Sequence, residues 1–257
     1  MYRMRIRKTE YKISLCGIRM KIAVVADLHN SEWHDTIKII KESRPDIIVC
    51  PGDTFGSLAG QERPAKGLTG RYIAESNGNQ AGLAFLCAAM KIAPVFCSVG
   101  NHEVRVSDNN LKRIADTGAV LLDNSYTILQ GGVILGGLSS GGAHGLISTG
   151  NPPDTVWIER FGRLGGPKIL LCHHPEYWEK YIAGQGIDLT IAGHAHGGQW
   201  RIFGRGLLAP GQGFFPKYTS GVHEMSGSVL VVSRGLGNVR GIPRINNPPE
   251  VVIIDTE

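Results

Sequence analysis

Short apolar segments alternate with longer segments of helical periodicity along most of this chain. Five of the apolar segments are rich in Val, Ile and Leu at consecutive positions, which is typical of strands buried on both faces. These predicted strands are residues 21–26, 46–50, 94–99, 168–172 and 187–192. Apolar residues three or four positions apart predict helices between the strands, at residues 31–42, 79–89, 107–117 and 154–164. The alternation favours an α/β fold of the α+β type.

The remaining predicted strands are shorter. Residues 2–7 alternate between apolar side chains and arginines and predict an edge strand, with a hairpin partner at residues 11–15. Three short strands, separated by so few residues that they should pair antiparallel, are predicted at residues 120–122, 126–129 and 133–138. A second sheet packed on the first is expected from strands at residues 200–208, 229–232 and 251–254. We expect a single domain over residues 1–257.

Each of the five buried strands is followed by side chains that commonly bind metal ions. The segments are Asp27-Leu28-His29, Gly52-Asp53, Gly100-Asn101-His102-Glu103, His173-His174 and Gly193-His194-Ala195-His196. If the backbone is extended, Asp27 and His29 project from the same side, and so do His194 and His196. The first pair can share one ion, and the second presents two imidazoles to one metal centre. Because open α/β sheets bind ligands at the carboxyl ends of their strands, the pattern predicts a metal centre there.

Composition and charge limit the classes of protein to which this chain can belong. With 257 residues, 42% of them hydrophobic, the chain can bury a sizeable core, and its net charge of +5 favours anionic partners. The sequence has neither a block of like charge nor zinc-finger spacing, so no specific nucleic-acid motif is present. The five cysteines are scattered and contain no C-x-x-C, a pattern of reducing compartments. No apolar run reaches the ~18 residues of a membrane span. We therefore expect a soluble, cytoplasmic protein with no obligate protein partner.

Two segments outside these motifs have two interpretations each. The arginines of residues 2–7 lie on the polar side of the predicted edge strand, where they are either solvated or make a weak peripheral contact with phospholipid headgroups; these are Arg3, Arg5 and Arg7. Residues 55–80 are rich in Gly, Ser and charge, and they predict either a mobile loop over the substrate or a plain solvated loop.

Some polar residues are candidates for substrate contact. His144 lies in a glycine-rich segment that permits close approach of a ligand. Arg234 belongs to a basic loop, together with Arg240 and Arg244, that could face the site. Glu103 either orients a neighbouring group or caps the following turn, and the sequence does not choose between these roles.

Taken in order, the five motifs resemble those of calcineurin-like metallophosphoesterases. The segments ADLHN, GHAHGGQ and SRGLG…NPPE look like those of the bacterial phosphodiesterase branch, so the resemblance covers nearly the whole chain. It implies a four-layer α/β/β/α sandwich of two mixed sheets flanked by helices. It also implies a dinuclear metal site at the C-terminal ends of the strands.

The resemblance also implies a role for each motif residue. One ion would be held by Asp27, His29 and His196, the second by Asn101, His173 and His194, and both by the bridging Asp53. His173, and not its neighbour His174, is the expected ligand. Carboxylate, imidazole and amide oxygen suit two divalent ions, Mn²⁺ first and Fe, Zn²⁺ or Co²⁺ as alternatives.

The activity implied is hydrolysis of a phosphate ester by a metal-bridging hydroxide, with His102 as the general acid that protonates the leaving oxygen. We expect a phosphodiester, nucleotide or lipid-linked, because Thr54, Phe55 and Gly56 stand where an arginine would clamp the dianion of a monoester. The alternatives are a phosphomonoesterase or protein phosphatase, whose GDxVDRG pattern is missing here, and a non-catalytic scaffold, which should have lost some ligands.

Overall fold

Two six-stranded mixed sheets form the middle of the fold. The computed structural model describes residues 4–56, 80–105, 108–141, 151–238 and 242–256. Within these ranges the strands are, in chain order, β1 (Arg7–Ile13), β2 (Lys21–Val24), β3 (Ile47–Pro51), β4 (Val95–Ser98), β5 (Val120–Leu122), β6 (Ser125–Ile128), β7 (Ile134–Leu138), β8 (Lys168–Cys172), β9 (Leu189–Ala192), β10 (Arg201–Ile202), β11 (Arg205–Gly206), β12 (Leu208–Ala209), β13 (Gly213–Phe214), β14 (Gly221–Met225), β15 (Ser228–Val232) and β16 (Glu250–Thr256).

Helices are few and short in the described part of the chain. They are α1 (His34–Ser43), α2 (Gln80–Ala89), α3 (Asp108–Asp116) and α4 (Thr155–Gly162), with 3₁₀ turns at Glu103–Arg105 and His196–Gly198 and a π-helical turn at Trp178–Ile182. The side chain of Asp154 caps α4 by accepting a hydrogen bond from the Trp157 backbone N–H. None of the helices in the described ranges is both long and apolar enough to cross a membrane.

The first sheet has the strand order β1-β16-β2-β3-β4-β5. Strands β2 to β5 run parallel, β16 is antiparallel to β2, and β1 is parallel to β16. The second sheet has the order β14-β15-β9-β8-β7-β6, with a parallel centre and an antiparallel strand at each edge. The carboxyl ends of the parallel strands therefore form one edge in each sheet.

Packing gives the four layers that the sequence predicts. Helices α1, α2 and α3 cover one face of the first sheet, around the fully buried Phe85. The other face packs on the second sheet through Ile22 and Ile191. Helix α4 covers the remaining face of the second sheet around Phe161. Successive residues of a strand face opposite sides of their sheet, and both sides are packed. The strands are therefore apolar at consecutive positions. The predicted α/β/β/α sandwich is confirmed.

Some predicted strand pairings are wrong. Residues 2–7 and 11–15 do not form a hairpin, because Arg7–Ile13 is one strand paired with the C-terminal β16. Strand β5 pairs in parallel with β4 of the first sheet, and only β6 and β7 form the expected antiparallel pair. Residues 200–208 add no strand to the second sheet; they begin two small hairpins, β10–β11 and β12–β13.

Helix α1 begins at His34, three residues later than predicted. The segment before it is tied back to the loop after β3, since the Asn30 N–H donates to the Thr54 carbonyl and the Ser31 N–H to the Leu28 carbonyl. Ser31 is therefore part of this connection and does not cap the helix. Some residues singled out from the sequence lie outside the described residues. They are most of residues 55–80, Arg3, Ser107, His144 and Arg240.

Ile191 provides a test of the packing between the sheets. Because it is fully buried there, Ile191→Ala should lower the free energy of unfolding by about 2–5 kcal/mol. Ile128, which is 66% exposed on β6, offers a matched control whose alanine variant should stay within about 0.5 kcal/mol of wild type. Denaturant titration of the two variants measures the difference, and equal losses would contradict the sandwich.

Candidate metal centre

Two clusters of metal-binding side chains lie at the strand ends, and each takes residues from both sheets. The loops after β2, β3 and β4 deliver carboxylates, an amide and imidazoles from the first sheet, and the loops after β8 and β9 deliver imidazoles from the second. The sequence predicts this convergence, and all seven candidate ligands are brought together; they are Asp27, His29, Asp53, Asn101, His173, His194 and His196.

The first cluster consists of Asp27, His29 and His196. The Nε2 atoms of His29 and His196 are 3.3 Å apart. Oδ1 of Asp27 lies 3.9 Å from Nε2 of His29 and 3.7 Å from Nε2 of His196. Asp27 is completely buried and the two imidazoles nearly so.

The second cluster consists of Asp53, Asn101, His173 and His194. Nε2 of His173 is the central atom: it lies 3.3 Å from Oδ2 of Asp53, 3.1 Å from Oδ1 of Asn101 and 3.1 Å from Nδ1 of His194. The other ring nitrogen of His173 is 2.9 Å from the Pro51 carbonyl oxygen, which fixes the orientation of the ring.

Asp53 connects the clusters, because its Oδ2 also lies 3.7 Å from Nε2 of His29 in the first one. Ligands about 2.1 Å from a common divalent ion lie roughly 3.0–3.4 Å apart. The shorter donor separations in both clusters fall in this range, and all the donors are imidazole nitrogen, carboxylate or amide oxygen. The residues present therefore fit two neighbouring divalent ions.

The backbone that presents these ligands differs from the expected extended form. The backbone φ angles are positive at five candidate ligands, with values of 50° for Asp27, 48° for His29, 54° for Asp53, 64° for His194 and 46° for His196. Non-glycine residues rarely adopt this left-handed conformation, and each costs about 1–3 kcal/mol unless its surroundings enforce it. In this conformation His194 joins the second cluster and His196 the first.

Glycines next to the ligands leave the necessary space. Gly52 has a φ of +87°, and a Cβ at this position would lie 2.6 Å from Nδ1 of His173. At Gly100 a Cβ would lie 2.3 Å from Oδ1 of Asp53. Neither position accepts any other residue without displacing a ligand.

Burial sets the charges of these groups. It lowers the pKa of His29 to about 4 and that of His196 well below the ordinary value, so both imidazoles are neutral near pH 7, the form that binds metals. Burial likewise raises the pKa of Asp27 to about 7. For His173 and Asp53, mutual attraction outweighs burial: it raises the pKa of His173 to about 10 and holds that of Asp53 well below its usual range.

Glu103 has a role that neither sequence alternative describes fully. Its buried carboxylate accepts hydrogen bonds from the backbone N–H groups of Asp53 (2.7 Å), Gly100 (2.9 Å) and Phe55 (3.0 Å). Burial raises its pKa to about 7. Glu103 therefore holds the left-handed turn at Asp53 in place, since three buried donors would otherwise lack a partner.

His102 lies beside both clusters. Its Nε2 is 3.8 Å from Oδ2 of Asp53, its ring centroid is 4.5 Å from that of His29, and its side chain is 20% exposed. The backbone N–H of His102 donates to Oδ1 of Asp53. His102 thus faces the candidate centre and is open to solvent.

Two arginines of the basic loop, Arg234 and Arg244, have different surroundings. Arg234 is buried in an ion pair with Glu250, whose carboxylate also accepts from the Arg234 backbone N–H. Arg244 lies beside the centre, with Nη2 3.4 Å from Nδ1 of His196. Its guanidinium also donates to the carbonyls of Arg234, Gly235 and Gly237.

Two supporting residues, Glu176 and Asn247, are missing from the set predicted from the sequence. The Glu176 carboxylate lies 3.4 Å from Nδ1 of His174 and 4.0 Å from Nε2 of His194, and burial raises its pKa to about 7. Asn247 donates to the carbonyls of His196 and Gln199 and so fixes the ligand loop. Asn247 and Glu250 belong to the closing NPPE segment, so that segment could have indicated them. His174 itself lies 2.6 Å from Oγ of Ser140 through Nε2.

Known proteins resemble this chain either in sequence or in fold. Phosphodiesterase YaeI of Escherichia coli is 25% identical over 254 residues, with 91% of this chain and 81% of YaeI covered. An uncharacterized metallophosphoesterase of Aquifex aeolicus is 25% identical over 252 residues, covering 93% of this chain and 85% of that protein. The crystal structure of TT1561 of Thermus thermophilus has the same fold, with a TM-score of 0.50 at 14% identity over 84% of this chain and 89% of TT1561.

The decisive match is to a family model. The model described as calcineurin-like phosphoesterase matches residues 20–198, which is more than half of the chain and includes all seven candidate ligands. The chain therefore belongs to the calcineurin-like phosphoesterase family and is a metal-dependent hydrolase of phosphate esters.

Proposed function

We propose that this protein hydrolyses phosphodiesters at a dinuclear metal centre. The observation that carries the proposal is the position of Asp53: its carboxylate faces a cluster of ligands on either side, with His102 next to it. The name of its relative YaeI, a phosphodiesterase, supports the same reaction.

Asp27, His29 and His196 would hold one ion, and Asn101, His173 and His194 the other, with Asp53 shared between them. The donor set favours Mn²⁺, with Fe, Zn²⁺ or Co²⁺ as alternatives, because none of the five free cysteines is a member of either cluster. When bound, two such ions supply positive charge for the phosphoryl oxygens and lower the pKa of a water molecule.

His102 would act as the general acid. Its Nε2 faces the centre, and its partial exposure lets the leaving group of a substrate approach it. Protonation of the leaving oxygen matters most for an alkoxide, which is a poor leaving group. The contact between the His102 backbone N–H and Asp53 fixes this side chain relative to the shared ligand.

The arginines support a diester over a monoester. A monoester dianion is commonly held by bidentate arginine contacts. Among the described residues, Arg234 is paired with Glu250, and Arg244 has all of its groups but Nη1 bonded to the protein. Thr54, in the position after Asp53, is buried and uncharged. A diester carries one charge and needs less clamping, so this environment suits it better.

The cellular location, a membrane contact and the type of substrate are also part of the proposal. All five cysteines are free thiols, which supports the cytoplasmic location we propose. Arg5 and Arg7 are exposed before and at the start of β1, which supports their proposed weak contact with phospholipid headgroups. The anionic substrate is proposed to be a nucleotide or a lipid-linked phosphodiester, in keeping with the net charge of +5.

Metal content tests the shared ligand. The purified protein should carry close to two divalent ions per chain. Asp53→Ala should lose most of both ions, because the Asp53 carboxylate contacts both clusters. His196→Ala should lose about one ion, because His196 belongs to the first cluster alone. His34→Ala, a change of an exposed histidine on α1, should retain both. Elemental analysis gives the counts. A metal-free native protein that also fails to bind added Mn²⁺ would rule out the centre.

The role of His102 is tested by leaving groups. His102→Ala should keep its metal content and lose about 10²–10⁴ in kcat, the usual contribution of a general acid. The loss should be smaller for a phenoxide leaving group, which departs without a proton, than for an alkoxide. Steady-state kinetics with both substrates, and with His34→Ala as control, make the comparison. Equal losses would assign His102 another role.

Substrate class is tested by a direct comparison. Bis(p-nitrophenyl) phosphate should be cleaved with a higher kcat/KM than p-nitrophenyl phosphate, because the described arginines offer no bidentate clamp for the dianion. A panel of nucleotide and lipid-linked diesters, each assayed with Mn²⁺, then identifies the substrate type. Preference for the monoester would overturn the diester assignment and leave the dinuclear centre standing.

A further inference from the structure

Two small hairpins follow the ligand loop directly and hold aromatic side chains in solvent. We call them the aromatic hairpins: β10–β11 and β12–β13, residues 200–217. Phe203, at the turn of the first, is 101% exposed, and Phe214 and Phe215, at the end of the second, are 66% and 81% exposed. Ile202 is also exposed. Single exposed apolar residues are ordinary, but several large ones on neighbouring turns mark a binding surface.

The backbone shows that turn formation does not account for these rings. Phe203 and Gly204 form the two-residue connection of β10–β11 with φ angles of 48° and 79°. Such a turn favours Asn-Gly, and a bulky residue at a positive φ is unfavourable. Phe215 likewise has a φ of 54°. Both rings therefore occupy strained positions and are largely exposed, which favours a role in a contact outside the chain.

Positive charge lies beside the exposed rings. A cavity of about 510 Å³ opens between the first hairpin, which contributes Gly204 and Arg205, and the segment after β13, which contributes Phe215 and Lys217. Arg201 also lines it, and no described residue of the lining is acidic. Lys217 is paired with Glu179 outside the cavity, at 2.7 Å. The cavity therefore suits an anionic group while the rings beside it suit an apolar phase.

We propose that the aromatic hairpins dock this protein on an anionic phospholipid bilayer. Aromatic side chains next to Lys and Arg are the usual composition of membrane-interface anchors, in which the rings enter the headgroup region and the cations contact lipid phosphates. The charge of the cavity complements the negative surface of the bilayer.

The hairpins are joined to the candidate metal centre. Nη1 of Arg201 donates to the Gly197 carbonyl at 2.8 Å, directly after the ligand His196. Gly198 packs so closely on β11 that a Cβ there would lie 2.4 Å from Cα of Gly206. Docking would therefore hold the ligand loop close to the lipid surface. The docking itself does not depend on the reaction proposed above.

Vesicle sedimentation of the full-length protein tests the proposal. The protein should bind phosphatidylcholine vesicles containing phosphatidylglycerol and bind pure phosphatidylcholine much less. The double variant Phe203→Ser, Phe215→Ser should lower the bound fraction on the order of tenfold, because two rings no longer enter the interface. Arg205→Glu should weaken binding to the anionic vesicles, and added salt should do the same. Metal content and hydrolysis of a soluble diester should remain at wild-type level.

The matched control is the double variant Tyr126→Ser, Ile128→Ser, which removes two exposed apolar side chains from β6 at the edge of the second sheet. It should bind vesicles like the wild type. Unchanged binding by the phenylalanine variant would overturn the proposal. So would loss of binding only in Arg5→Ser, Arg7→Ser, which would assign the contact to the N-terminal arginines. A change in oligomeric state without a change in vesicle binding would make the surface a protein interface instead.

Discussion

The candidate metal centre depends on the contacts that the Asp53 carboxylate makes with residues of both sheets. This carboxylate lies 3.3 Å from His173 of the second sheet and 3.7 Å from His29 of the first, and it accepts the backbone N–H of His102. A buried carboxylate in this position has to be compensated by cations. Protonated His173 provides one in the metal-free chain, and bound ions would provide it in the loaded enzyme. Glu103 in turn fixes the strained backbone from which Asp53 projects.

The sequence alone predicted those parts of the molecule that depend on residues close together in the chain. Uninterrupted apolar runs located β2, β3, β4, β8 and β9, because a strand covered on both faces has no polar side. The polar residues directly after each run followed from the same pattern. Since parallel strands of one sheet end at a common edge, the convergence of Asp27, Asp53 and Asn101 could be predicted without knowing any long-range pairing.

Long-range pairing and backbone conformation were beyond such reasoning. No local pattern indicates that Arg7–Ile13 pairs with a strand more than two hundred residues later, or that β5 leaves its neighbours β6 and β7 to join another sheet. The left-handed conformation of five ligands depends on contacts from distant segments, such as the hydrogen bond from the Gly237 N–H to the Asp27 carbonyl. Glu176 approaches His194 only because the fold brings their loops together.

The place of β16 has a consequence for biosynthesis. Strand β16 lies between β1 and β2, so β1 has no strand partner in the first sheet until β16 has been made. Glu250, the first residue of β16, also neutralises Arg234, and the neighbouring Asn247 holds the ligand loop. Domains generally fold as units, from the N-terminus as the ribosome delivers the chain. Here the first sheet and the ligand loop can be completed only after β16 has been synthesised, so the ion-binding pocket depends on a strand that is made more than two hundred residues after β1.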